Sequence, residues 1–190
     1  TFLSFGVSVD ETGQVDGSIY VEHGLRPKLT FGFKIDADMT DGRMDDGTAY
    51  VFVRKPIPTG TRDFKLAYQL AIGSTLGDGS SPLLRSGLSF GRSLRMWDRA
   101  GWLAVDTAAE WETDSSDLTL KIDGTFGLTL SDRFQVMMQV FLSQTNSTLS
   151  TTLAPSLIWH PDRDTTTRYQ IGLEAQSSMV ALKLGLWREF

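Results

Sequence analysis

The chain has 190 residues, a formal net charge of −5, no cysteine, and 18 glycines but only six prolines. This length is enough for one domain with a sizeable core, and the acidic balance excludes the basic patch that a nucleic-acid-binding domain needs. No run of about 18 consecutive apolar residues is present, so a transmembrane helix is excluded.

Segments of alternating polar and apolar residues follow one another along the whole chain. Because neighbouring side chains on a strand point to opposite faces, each segment predicts a strand with one apolar and one polar face. Turn residues such as Asp41-Gly42 and Asn146-Ser147 separate the segments, and no stretch keeps a helical period for three turns. The predicted strands cover residues 2–9, 17–23, 28–37, 48–54, 62–73, 83–94, 102–112, 117–130, 133–145, 148–160, 167–176 and 179–190.

The last segment alternates strictly and stops on an aromatic residue. Its apolar face carries Val180, Leu182, Leu184, Leu186 and Phe190. A closing amphipathic strand that ends in phenylalanine resembles the C-terminal signature of bacterial outer-membrane β-barrels, which include the porins. Arg188 stands at the third-from-last position, where that family usually has an apolar or aromatic residue. The resemblance implies that the barrel-assembly machinery recognises the strand ending in Phe190.

Pattern and resemblance together predict one domain over residues 1–190, an all-β, twelve-stranded antiparallel transmembrane barrel of the bacterial outer membrane. An even number of strands returns the chain to its starting side, so both termini are expected in the periplasm. A ten-stranded barrel is the alternative. A soluble β-fold would alternate too, but its outer face would carry many Lys and Glu residues, whereas the polar face here is mostly Ser, Thr, Gly, Gln and Ala.

Aromatic residues collect towards the ends of the predicted lipid face, as in the girdles of membrane barrels. The expected partners of this face are outer-membrane lipid and lipopolysaccharide. The lipid face is predicted to carry Phe2, Phe64, Phe134, Trp159, Tyr169 and Phe190 near the periplasmic end, and Trp111 near the other end.

The polar face predicts a lumen with eight charges of each sign. Opposite charges can pair and partly close the bore, or they can line opposite walls. The leading prediction is a small, weakly selective pore for ions or small solutes, and the alternative is an accessory barrel with an occluded lumen that anchors or partners a larger envelope complex. The predicted lumen residues are Lys28, Lys34, Arg54, Lys65, Arg85, Lys121, Arg168, Lys183, Glu22, Asp36, Asp63, Asp106, Glu110, Asp123, Glu174 and Glu189.

An enzyme is not expected. The two histidines, His23 and His160, fall at the predicted periplasmic rim, and no Gly-x-Ser-x-Gly motif is present. The predicted loop between Asp38 and Gly47 is rich in aspartate, but its spacing misses a calcium-loop motif. No metal site or cofactor is therefore predicted, and the acidic loop is interpreted as a solvated segment over the mouth that can bridge divalent cations to lipopolysaccharide phosphates.

Overall fold

A computed structural model describes residues 1–60, 63–77, 79–115, 117–162, 166–177 and 179–190. Within these residues the secondary structure consists of twelve strands. They are β1 (Phe2–Asp10), β2 (Val15–Arg26), β3 (Leu29–Thr40), β4 (Arg43–Ile57), β5 (Lys65–Gly77), β6 (Pro82–Met96), β7 (Arg99–Glu112), β8 (Leu118–Thr129), β9 (Phe134–Thr145), β10 (Thr148–Trp159), β11 (Thr167–Gln176) and β12 (Met179–Glu189).

The strands form one closed barrel. Each strand pairs antiparallel with the next along the chain, and β1 pairs with β12, so the sheet has no free edge. At this seam Phe2 lies opposite Glu189, and the Phe190 backbone N–H donates to the Thr1 carbonyl at 2.9 Å. The predicted twelve-stranded antiparallel barrel is confirmed, and the ten-stranded alternative is wrong.

The acidic segment between β3 and β4 is a tight hairpin and not the predicted loop over the mouth. Asp41 and Gly42 alone connect the two strands, and both have positive φ, 53° and 74°. An Asp-Gly pair with two positive φ angles is the usual two-residue hairpin turn, because its twist matches that of the flanking strands. The strands therefore continue through most of the residues that were predicted to form the loop.

Alternation along the strands places apolar side chains on the outside of the barrel. On β7, Trp111 is 47% exposed, whereas its neighbour Glu110, on the inner face, is only 5% exposed. Removing a large apolar side chain from water stabilises by about 1.5–3 kcal/mol, so this outer face favours a lipid environment. No helix within the described ranges is long and apolar enough to cross a membrane. Other large apolar side chains exposed on the outer face include Phe5, Ile72, Leu88, Leu120, Leu149, Leu153, Ile171, Leu182 and Leu184.

Candidate functional site: the lumen

Aromatic side chains that the polar-face prediction did not include form part of the inner wall. The rings of Tyr20 on β2 and Phe52 on β4 stack with centroids 5.5 Å apart and planes 20° apart, and the Tyr50 ring lies 6.4 Å from Phe52. Phe52 is 2% exposed and Tyr50 is 6% exposed, so both are packed and not free in the bore. Leu83 on β6 and Ala71 on β5 complete this buried group.

Small residues in register make room for these rings. Phe52 lies between Gly32 on β3 and Ala71 on β5, and Tyr50 lies opposite Gly73. A Cβ on Gly32 would stand well inside van der Waals contact with the Phe52 ring and with the Val21 carbonyl oxygen. The sequence therefore combines large and small residues across neighbouring strands, as cross-strand packing requires.

Two arginines cover the aromatic rings. The Arg54 guanidinium lies 5.4 Å from the Phe52 centroid, and the Arg85 guanidinium lies 5.2 Å from the Tyr50 centroid. At such distances a cation is attracted by the ring quadrupole. We call Tyr20, Tyr50, Phe52, Arg54 and Arg85 the aromatic–arginine cluster.

Acidic and amide groups hold Arg54 in place. Its Nη1 donates to Glu22 Oε2 at 3.0 Å, and its Nη2 donates to Gln69 Oε1 at 2.9 Å. The Tyr20 hydroxyl donates to the same Glu22 oxygen at 2.6 Å. The ring of Tyr20 and the guanidinium of Arg54 are therefore fixed by one carboxylate.

Arg85 is held by a second carboxylate. Glu110 Oε1 accepts from Arg85 Nη1, and Glu110 Oε2 lies 2.8 Å from Lys121 Nζ. This triad runs across β6, β7 and β8, and its carboxylate is almost completely buried. Glu110 is therefore the shared counter-charge of two lumen cations.

A further charged group lies near the β1–β12 seam. Glu174 accepts hydrogen bonds from Lys183 Nζ and Ser8 Oγ, both at 2.6 Å. Lys183 also lies 5.3 Å from the centroid of the Phe141 ring. Elsewhere in the lumen Lys34 pairs with Asp36 at 2.7 Å. These opposite charges pair between neighbouring positions along the wall, and neither across the bore nor on opposite walls.

A cavity of 350 Å³ lies in the lumen, lined by β3 and β4 on one side and by β8, β9 and β10 on the other. Among the charged residues of its lining, four carboxylates face two lysines, so this space is acidic. In addition, Asp16, Asp38 and Asp46 lie directly opposite one another across β2, β3 and β4. The charged lining residues are Asp36, Asp38, Asp46, Asp123, Lys34 and Lys121.

Several predicted lumen residues lie elsewhere. Lys28 is exposed in the β2–β3 turn, and Asp63 is exposed in the connection before β5, so neither belongs to the barrel wall. The predicted strands began one to three residues too early at these points. Lys65 is exposed at the first position of β5, and Arg168 lies 3.9 Å from Glu189 at the rim where the chain ends. The structure places the other predicted residues on the inner face, namely Glu22, Lys34, Asp36, Arg54, Arg85, Asp106, Glu110, Lys121, Asp123, Glu174 and Lys183.

Phe2 is the exception among the predicted girdle residues. Its ring packs edge-on at 6.2 Å against Tyr20, which places it inside the barrel. The error is one of register: Phe2 shares a face with Ser4 and Ser8, whereas Leu3 and Phe5 point outwards. The other predicted girdle residues lie on the outer face, where Trp159 and Tyr169 are in ring contact, Phe64 contacts Phe90, and Trp111, Phe134 and Phe190 are exposed.

The two histidines lie near the rim that carries the termini. His23 Nδ1 is 2.8 Å from Thr1 Oγ1, and the His160 backbone N–H donates to the Arg133 carbonyl. Burial, together with the Arg168 guanidinium, lowers the pKa of the His160 imidazole below its ordinary value, so the ring is neutral at physiological pH.

Among the described residues, no group of three or more His, Asp or Glu side chains is arranged to hold a metal ion.

Solved structures share this architecture at low sequence identity. The KdgM porin in complex with disordered oligogalacturonate superimposes with a TM-score of 0.74 at 9% identity, covering 100% of this chain and 99% of that one. The chain shares its barrel fold with outer-membrane porins. The NanC porin gives a TM-score of 0.69 at 12% identity over 99% of this chain and 100% of that one. LpxR from Salmonella typhimurium gives 0.66 at 8% identity and covers both chains fully.

No protein-family model matches the sequence, and no curated protein does. The likeness thus concerns the backbone architecture, and the lumen side chains of this chain have to be interpreted from their own chemistry.

Proposed function

We propose that this chain forms an outer-membrane pore for small cations and small neutral solutes. The acidic cavity inside the lumen, enclosed by a barrel whose outer face is apolar, is the observation that carries this proposal. Carboxylates around a narrow aqueous path raise the local concentration of cations and lower that of anions.

Oligogalacturonate, the ligand of the KdgM structure, is a polyanion and would meet an unfavourable lining here. The lysines and arginines of this lumen are engaged by carboxylates, as in the pairs Lys34–Asp36 and Lys183–Glu174. These cations are therefore not free to form a basic track for an acidic sugar, and we do not transfer that substrate class to this chain.

The test is single-channel recording in a planar bilayer after refolding in detergent. We expect stable conductance steps, and a reversal potential in a potassium chloride gradient that corresponds to cation preference. Heat-modifiable migration on a gel shows in parallel that the barrel is folded. A folded barrel without conductance contradicts the proposal.

Two aspartates that face each other on neighbouring strands, Asp38 and Asp46, allow a test of ion selectivity. Replacing both Asp38 and Asp46 with asparagine is expected to lower the potassium-over-chloride permeability ratio by about twofold, since two carboxylates leave the cavity lining. The matched control is Asp41→Asn, because Asp41 is exposed in the two-residue β3–β4 turn at the same rim and does not line the cavity, and asparagine tolerates its positive φ. An equal change in the control would show that the effect is not due to the lumen charges.

The barrel fold also supports a proposed orientation of the chain in the outer membrane. Both termini lie at one end of the barrel, which we assign to the periplasm, and the opposite rim then meets lipopolysaccharide. Phe190 is 70% exposed at the end of the strand that closes the barrel, where the assembly machinery can reach it during insertion. Protease accessibility of the two rims in intact cells tests this orientation.

An accessory barrel with an occluded lumen is the second candidate. One observation favours it: several inward-facing apolar side chains are almost inaccessible, including Phe52 at 2%, Met137 at 4% and Ile158 at 0%. Such packing fills part of the bore. The same bilayer recording separates the two candidates, because the accessory barrel is silent.

A further inference from the structure

We propose that the aromatic–arginine cluster is the constriction that sets the size limit of this pore. This inference rests on the proposed pore function and assigns a role to side chains of the wall itself. The largest solute that passes is then decided by Phe52 and its neighbours and not by a loop folded into the bore.

The aromatic–arginine cluster is rigid. Phe52 is 2% exposed, stacks on Tyr20, and its ring fills the room that Gly32 and Ala71 leave on the neighbouring strands. Closely packed side chains keep one rotamer, so the ring cannot swing aside to admit a solute. A rigid group of this kind gives a fixed size limit.

Both arginines of the cluster are fixed over the rings. Arg54 is bound by Glu22 and Gln69, and Arg85 is bound by Glu110, which also holds Lys121. Hydrogen bonds to an anchored partner thus position each guanidinium. The two guanidiniums lie over the rings and extend the cluster towards the centre of the bore.

The cluster lies directly beside the acidic cavity. Tyr50 is the register partner of Lys34, which lines the cavity, and Thr48, one step along the same face of β4, lines it as well. The open space therefore runs directly into the cluster. A solute that has entered the acidic cavity next meets the arginines that cover these rings.

Loops at the far rim provide no comparable barrier where they are described. The β3–β4 connection has two residues, the β9–β10 connection has two, and the β1–β2 connection has four. Connections of this length make hairpin turns and cannot reach into the lumen.

The experiment compares Phe52→Ala with a matched control, Phe31→Ala. Phe31 lies on β3 and is 40% exposed on the outer face, so its truncation removes the same ring without touching the lumen. Single-channel conductance is recorded with uncharged polyethylene glycols of increasing size, and the smallest polymer that no longer enters the pore gives the size limit. Phe52→Leu, a smaller truncation, is measured in parallel in case the alanine variant does not refold.

For Phe52→Ala we expect a conductance about twofold above wild type and a larger size limit, with an intermediate result for Phe52→Leu and no change for Phe31→Ala. A conducting wild type and a folded Phe52 variant with unchanged size limit would overturn the inference and leave the pore function standing. A silent wild type with a conducting Phe52 variant would support the cluster as the barrier while rejecting the pore function. If wild type and both folded Phe52 variants are silent, the pore function and the inference both fail.

Discussion

Replacing Glu110 with glutamine is expected to lower the free energy of unfolding by about 3 kcal/mol. The Glu110 carboxylate is 5% exposed and serves Arg85 with one oxygen and Lys121 with the other. Glutamine has nearly the same shape but no charge, so two partly buried cations lose their counter-ion. Breaking a buried ion pair by removing one partner costs more than the pair contributes, because the remaining charge stays desolvated. Urea unfolding in lipid vesicles, followed by tryptophan fluorescence, measures the loss.

The control for this prediction is Glu112→Gln on the same strand and the same face. Glu112 lies at the last position of β7, where its carboxylate accepts a hydrogen bond from Ser115 at 3.3 Å. We expect its replacement to change the unfolding free energy by less than about 0.5 kcal/mol, the usual range for a surface substitution. Equal losses in the two variants would show that the Arg85–Glu110–Lys121 triad has no special role in stability.

Adding a single methyl group at Gly32 is expected to destabilise the barrel by about 1–3 kcal/mol, or to prevent refolding. The new Cβ would collide with the Phe52 ring and with the Val21 carbonyl oxygen. The carbonyl belongs to the backbone of the paired strand β2, so it cannot move without disturbing the ladder, and Phe52 has no room on its other side. The readout is the urea midpoint, together with the temperature at which the folded band disappears on a gel.

Gly91→Ala is the matched substitution, since a Cβ at Gly91 would have no neighbour within 4 Å. Both glycines lie within strands, so the intrinsic gain or loss from replacing glycine with alanine is similar in the two variants. We expect the Gly91 variant to stay near wild type. A Gly32→Ala barrel as stable as Gly91→Ala would mean that the ring and strand relax easily, and the rigid packing around Phe52 would have to be abandoned.

The pattern of the sequence was sufficient to predict strands, faces and the barrel itself. Side chains on a strand alternate with a period of two, so residues such as Leu120 and Lys121 are assigned to opposite faces without any knowledge of the neighbouring strand. Turn residues divide the chain into an even number of such strands, and an amphipathic first and last strand can pair to close the sheet. These are local properties, which explains why the fold could be predicted.

The same alternation also indicates inward-facing aromatic rings. An interpretation that assigns only polar residues to the lumen misses them. Tyr50, Phe52 and Arg54 follow one another at every second position of β4, so an inward Arg54 requires two inward rings. Likewise Phe2 must share the face of Ser8, which binds Glu174 in the lumen. Applying the period strictly, without assuming that apolar residues face lipid, would have placed these rings correctly.

Alternation along each strand therefore fixes the face of each side chain, whereas the pairing of the strands fixes which side chains meet. The register of each strand against the next places Glu110 directly opposite Arg85 and diagonal to Lys121. The same register places Phe52 between Gly32 and Ala71. Register depends on where every turn begins and on how the closed sheet is staggered, which is a property of all twelve strands at once. The charges were visible in the sequence, but their pairing, the packed rings and the acidic cavity follow only from this stagger.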